Sequence, residues 1–269
     1  MRTADIFRFK GTSLIALITA SAISGVGFIW PFLVNHKVGH PQWLFLLATP
    51  FALLVLLSVS NNKLDTKTIA LLAVLSALIA AVRPLGTGAV GIEPMWFILI
   101  LAVRVFGPSF GFLLGAISMF LSAIITGGLG PWVAYQSFAA GWIALGVALI
   151  PKKVRGWREL VSLTAYGIIA AEIFGILMDL QFWPWTLGAD TQLSYTAGAP
   201  LISNVKHFLS YHFLSSMAWD IPRAIFTAVL IATTGPAMLF TLRRAHTRAA
   251  FVTPIEFIER AKAQEATLK

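Results

Sequence analysis

No cysteine occurs anywhere in the 269 residues. Disulfides, thiol nucleophiles and thiolate metal sites are therefore excluded together. Charge is also scarce. Asp, Glu, Lys and Arg make up 12% of the chain, against about 25% in an ordinary soluble domain. There is no HExxH zinc-protease pattern and no Walker A loop, and no paired acidic motif of the kind that holds a prenyl diphosphate. These absences leave metalloprotease and P-loop ATPase chemistry without their residues, and no catalytic constellation stands out. From residue 106 to residue 151 there is not one acid, base or histidine.

What the chain does contain is apolar. Hydrophobic residues make up 58% of it, and the mean hydropathy is +0.82. This composition predicts an all-α, multi-pass integral membrane protein. The length accommodates roughly eight spans of about 20 residues with short loops and little soluble mass. Apolar runs place the spans at residues 12–34, 43–59, 68–82, 95–105, 109–125, 132–150, 160–180 and 217–240. Ala20-Ser21-Ala22 has the look of a signal-peptidase site, but the first apolar run continues well past it, so a retained span is expected. Residues 61–67 form the clearest linker. The expected organisation is two N-terminal helices (1–60), the linker (61–67), a six-helix membrane domain (68–242) and a basic tail (243–269). Residues 181–212 read as the longest loop.

Lys and Arg then orient the spans. With the N-terminus inside and eight alternating passes, the outside keeps only Lys37, Arg83 and Lys206, with Arg223 within a span and the remaining Lys and Arg inside. This is the asymmetry of the positive-inside rule, and the opposite orientation violates it. Both termini are expected to be cytoplasmic, in a bacterial plasma membrane. The +9 net charge is read as a topology signal rather than as a nucleic-acid surface.

Small residues four apart recur on several spans. Ala73, Ala77 and Ala81 form one such ridge, and Gly111 with Gly115 a second. Gly167, Ala171 and Gly175 form a third, and Ala224, Ala228 and Ala232 a fourth. Each set shares a helix face and lets backbones approach closely, either within the bundle or against a partner. Charges at membrane depth are costly and face protein or a water-filled cavity. Glu172 lies in mid-span and Asp179 seven residues later. Asp220 and Arg223 sit one turn apart around Pro222 and read as an ion pair that either braces the helix or serves a ligand. His207 and His212, five apart, fall off one helix face and make a weak metal pair.

The expected outer face gathers aromatic bodies and a few polar groups, the composition of a small-molecule pocket. The same residues taken singly fit an aromatic belt at the membrane surface. The candidate binding residues are Glu93 and Trp96 after the first core loop, and Thr126, Trp132, Tyr135 and Gln136 around the Gly-rich turn. Asp179, Trp183, Tyr211, Trp219, Asp220 and Arg223 complete the set. Gln181, Trp185, Asn204, His207 and His212 lie on the same face.

Several segments occur in an order that resembles a known family. The helix carrying Ala73, Ala77 and Ala81 comes first, then Gly107-Pro108-Ser109-Phe110-Gly111-Phe112-Leu113-Leu114-Gly115. Gly127-Gly128-Leu129-Gly130-Pro131-Trp132 and Gln136 follow, and Trp219-Asp220-Ile221-Pro222-Arg223-Ala224 opens the last helix. From about residue 66 to 242 the chain resembles the substrate-binding S component of an energy-coupling factor (ECF) vitamin transporter. The resemblance implies a six-helix bundle that captures a vitamin on the outer face. It also implies partnership with a membrane coupling subunit and two ATPases, which would hydrolyse the ATP, so that the chain itself needs no cofactor and no metal. The ridge of Ala73, Ala77 and Ala81 is then the surface that meets the coupling subunit. The two N-terminal spans and the long 181–212 segment depart from the family pattern. Among vitamin classes, the Gly-Gly-x-Gly-Pro-Trp turn is most similar to an actinobacterial branch associated with cobalamin or a related corrinoid. Arg2 stands where the cobalt-uptake branch has histidine. Two functions follow: a non-catalytic capture subunit, or an autonomous carrier driven by protons through Glu172 and Asp179.

Overall fold

The structure, a computed structural model, describes residues 5–33, 41–61, 64–86, 91–187 and 191–248, without the side chains of 41–46, 61 and 248. Residues Arg2, His36, Lys37, His40 and Lys63, the tip of the first core loop and the tail beyond residue 248 lie outside the described residues.

The described residues are mostly helical, with no strand among them. The chain first forms a hairpin of α1 (Thr12–Leu33) and α2 (Pro41–Asn61). Asp65 then starts α3 (Thr66–Val82): its carboxylate accepts the Thr68 amide at 3.2 Å, meeting one of the free N–H groups of a helix start. The other core helices are α4 (Met95–Phe106), α5 (Pro108–Ile125), α6 (Trp132–Gly146), α7 (Trp157–Thr186), α8 (Leu201–Tyr211) and α9 (Met217–Arg248). Six helical stretches are long and apolar enough to cross a bilayer, and Leu47–Ser60 and Met95–Phe106 are shorter apolar helices. Together they are eight apolar helical stretches among the described residues.

α4 is the axis of the bundle. It rises only about 18 Å, less than the hydrocarbon thickness of about 30 Å. All but two of its residues are buried, so it meets protein on every side rather than lipid. α5 packs on α3, α4 and α6, and α9 packs on α4 and α7. The α1–α2 hairpin lies against α6, α7 and α8.

Close backbone approach sets these contacts. A Cβ on Gly115 would meet the Ala140 carbonyl of α6 at 2.9 Å, and one on Gly167 would meet Ile231 of α9 at 2.9 Å. The stripe of Ala224, Ala228 and Ala232 is not part of the α7 contact. Ala224 and Ala228 line an open groove and Ala232 is exposed, while Asp220, Thr227 and Ile231 face the α7 glycines.

Two expectations from sequence are corrected. Residues 181–212 are not one loop. α7 runs on through Pro184 to Thr186, and α8 begins after Pro200 and continues through a π-helical turn, His212–Ser216, directly into α9. The span expected over 132–150 stops being α-helical at Gly146 and finishes in a 3-10 turn, Val147–Leu149.

The basic end is closed by ion pairs. Glu159, 1% exposed, accepts from Arg104 at 2.6 Å and from Arg243 at 2.7 and 2.8 Å. Arg104 also donates to the carbonyls of Ile150, Pro151 and Val154 at 2.9, 3.1 and 2.7 Å. The segment before α1 lies across this end: Lys152 pairs with Asp5 at 2.6 Å, and the Phe9 amide donates to Ser109 Oγ at 3.2 Å. Gly107, at φ 101°, makes the α4–α5 corner close against Asp5, a conformation and a spacing that a side chain would resist.

Candidate functional site

At the opposite end, α9 presents a polar stripe to the bundle interior. The π-helical turn and the first turns of α9 put His212, Ser216, Asp220 and Arg223 on one inward face. π turns are frequent at functional sites because they re-aim side chains within a continuous helix. α7 supplies Glu172 and Asp179 opposite them. Gly175 lies between, and any Cβ there would overlap the Asp220 carboxyl group.

Two linked networks result. In the first, Arg223 Nε donates to Glu93 Oε2 at 3.1 Å, and its Nη1 donates to Asp220 Oδ1. Trp96 Nε1 donates to the same Glu93 oxygen at 2.7 Å. The guanidinium sits 5.1 Å over the Phe174 ring, a cation–π contact, and Phe174 packs on Trp96 at 4.5 Å between centroids. In the second, His212 bridges two carboxylates, with Nδ1 2.6 Å from Asp179 and Nε2 2.8 Å from Glu172. Ser216 Oγ donates to the other Asp179 oxygen at 2.6 Å. Glu172, His212 and Asp220 each offer a ligand atom within 4.8 Å of the others.

The structure thus brings together Glu93, Trp96, Asp179, Asp220 and Arg223 from the sequence-derived set. It adds His212, Ser216, Glu172 and Phe174. Trp219, half exposed, stands at the rim; its carbonyl lies against Gly91, which at φ 71° lets the first core loop seat on the start of α9.

The rest of the set lies elsewhere. Tyr135 is buried against the N-terminal hairpin, hydrogen-bonded to Thr49 of α2 and edge-on to Phe28 of α1 at 4.9 Å. Thr126 is exposed and bonds back to the Ser122 carbonyl at 2.9 Å, and Trp132 caps its own turn through Gly128 O at 3.1 Å. Gln136 is half-buried on α6.

Trp183 is fully buried and anchors the segment before α8 by donating to Leu193 O at 2.6 Å. Asn204 and His207 hold the same segment through Thr196 and Ser194. Tyr195 there is pushed above the usual phenol range by burial. Tyr211 is half-buried beside Thr186 and Ser215.

Gly107-Pro108-Ser109-Phe110-Gly111 reads G-x-S-x-G, the serine-hydrolase spacing. The motif needs a strand-to-helix turn. Here it joins α4 to α5, and Ser109 Oγ accepts the Phe9 amide.

On α3, Ala73, Ala77 and Ala81 are all exposed on one face. They differ in surroundings. Ala73 borders a groove of about 560 Å³ between α2, α3 and α5, whereas Ala77 and Ala81 stand on the helix surface outside its lining. The small-residue spacing at Ala77 and Ala81 is therefore not used for packing inside the bundle.

Neither a curated protein nor a solved structure matches the chain. The family profile described as "ECF-type riboflavin transporter, S component" matches residues 63–243. The matched stretch starts two residues before the α3 cap and takes in α3 to α9, leaving the α1–α2 hairpin outside it. Over two-thirds of its length, then, this chain is a member of the ECF-type riboflavin transporter S-component family.

Proposed function

We propose that the chain is the capture subunit of an ECF transporter, binding a vitamin or related micronutrient at the His212 end of the bundle. Partner ATPases acting through a coupling subunit would then drive its import. The observation that carries this reading is the family match over residues 63–243. The matched helices contain both the polar networks on α7 and α9 and the exposed alanine ridge on α3. Membership in a transporter family points to a non-enzymatic role in a multi-pass plasma-membrane protein.

The charge distribution supports an orientation with the Arg104–Glu159–Arg243 end in the cytoplasm and the His212 end outside. In that orientation the face of α3 bearing Ala73, Ala77 and Ala81 is the docking surface for the coupling subunit. The N-terminal hairpin is an accessory unit seated on α6, α7 and α8, with α2 bordering the groove at Ala73 and leaving Ala77 and Ala81 outside it.

Riboflavin is the cargo named by the matched family, and a corrinoid is the cargo favoured by the Gly-rich turn. That turn contributes Thr126 and Trp132 to its own closure, which gives the corrinoid no added support. Mass spectrometry of small molecules that copurify with the chain from rich medium tests the proposal. One water-soluble micronutrient at near one-to-one stoichiometry is expected, and its loss in Arg223→Ala would place it at the networks. Retention of phospholipid alone would contradict a capture role.

A further inference from the structure

The two networks hold more carboxyl groups than basic side chains. Glu93, Glu172, Asp179 and Asp220 supply four carboxyl groups, while Arg223 and His212 are the basic side chains bonded to them. Asp220 is 1% exposed, and its Oδ2 is buried without a hydrogen-bond partner. Glu172 is bonded by His212, yet its side chain remains 39% exposed.

Both carboxylates border one groove of about 760 Å³ between α7 and α9. That volume is in the range of small-molecule sites. The remaining walls are apolar and include Ile169, Phe213, Met217 and Ile225. A carboxylate that faces such walls at membrane depth needs a counter-charge; His212 meets Glu172 and Arg223 meets Asp220 Oδ1, while Asp220 Oδ2 is left without a partner. A bare metal ion would satisfy the carboxylates and leave the apolar walls unused. An organic cation uses both.

We propose that this groove takes an amphipathic organic cation bearing N–H donors, such as a primary ammonium or a protonated amino-heterocycle. Its charge sits at Glu172 and Asp220 and its apolar body lies along Ile169, Met217 and Ile225. The inference rests on the capture role proposed above, because it assigns the charge of the cargo.

The test uses the full chain in lipid nanodiscs and calorimetric titration with phenethylammonium chloride, its neutral N-acetyl derivative and zinc chloride. The ammonium binds at least about tenfold tighter than the amide, and Glu172→Gln loses about tenfold, the scale of one charge-assisted hydrogen bond. Ile225→Trp, which fills the groove from its α9 wall, abolishes binding while the thermal melt stays cooperative. Equal binding of amine and amide, or binding unchanged in both variants, overturns the proposal. Zinc binding tighter than the ammonium and lost in His212→Ala also overturns it, in favour of a metal site.

Association with the coupling subunit and ATPases is measured on the same preparation. A complex that forms without any cation preference overturns the cargo charge and leaves the capture role standing. Cation binding by a chain that forms no complex does the reverse.

Discussion

Replacing Gly175 with alanine tests the packing that creates the site. Gly175 of α7 faces Asp220 of α9, and its Cβ would overlap Cγ and both oxygens of that carboxyl group. Alanine in a helix interior gains about 0.5–1 kcal/mol over glycine. Gly25 of α1 isolates this gain, because nothing lies within 4 Å of its would-be Cβ.

At Gly175 the gain is opposed by two costs. Overpacking costs about 1–3 kcal/mol. Relief by moving Asp220 pulls it off Arg223, and breaking a buried ion pair costs about 3–5 kcal/mol. Only part of each is incurred, since relief of one brings on the other. Gly175→Ala is therefore expected to be about 2–4 kcal/mol less stable than Gly25→Ala. At about 2–4 °C per kcal/mol for a chain of this size, their melting temperatures separate by roughly 4–16 °C. Tryptophan-fluorescence melts in nanodiscs read the gap, and copurified ligand is expected to fall in Gly175→Ala alone. Coincident melts with full ligand retention would refute the α7–α9 contact as described.

Three further outcomes are expected. Glu159→Gln leaves Arg104 and Arg243 facing each other without their shared carboxylate, and lowers stability by about 3–5 kcal/mol in thermal melts with ligand affinity unchanged; a binding defect would link the two ends of the bundle. Ala77→Trp, at the middle of the exposed ridge between Ala73 and Ala81, abolishes copurification of the coupling subunit while calorimetry still shows ligand binding; an intact complex, there and in Ala73→Trp, would remove α3 from the interface. Tyr135→Phe loses the hydrogen bond to Thr49 and about 1 kcal/mol in melts, with ligand affinity unaltered; weakened binding would return Tyr135 to the pocket.

The membrane passes were legible because their signals are local. Apolar length marks where the helices start, within two residues of the observed start for every pass but α7, which begins three residues before the expected 160–180 span and runs six residues past it. The 181–212 segment was not, since Pro184 and Pro200 read as helix breakers. In the structure Pro184 is carried inside α7, and Pro200 sits at the N-cap of α8.

Sequence puts His212 on the candidate face, but with 181–212 read as loop it has no assigned partners, and Ser216 just beyond it is not singled out. Read as helix, the two continue the four-residue ladder to Asp220. Glu172 appeared isolated because no second carboxylate lies one turn away on its own helix; its partner, His212, comes from 40 residues further on. Tyr135 and Trp183 show the converse case. Sequence places both at the same end as the site, but the added hairpin claims Tyr135 through Thr49 and Phe28, and Trp183 stacks on Phe32 of α1. Long-range partners of this kind leave no periodic trace.

The most direct test of the account is transport itself. In proteoliposomes, the chain reconstituted with its coupling subunit and ATPases is expected to accumulate the copurifying micronutrient only when ATP is supplied, and the chain alone to bind without accumulating. Accumulation by the chain alone, driven by a proton gradient and abolished by Glu172→Gln, would contradict it.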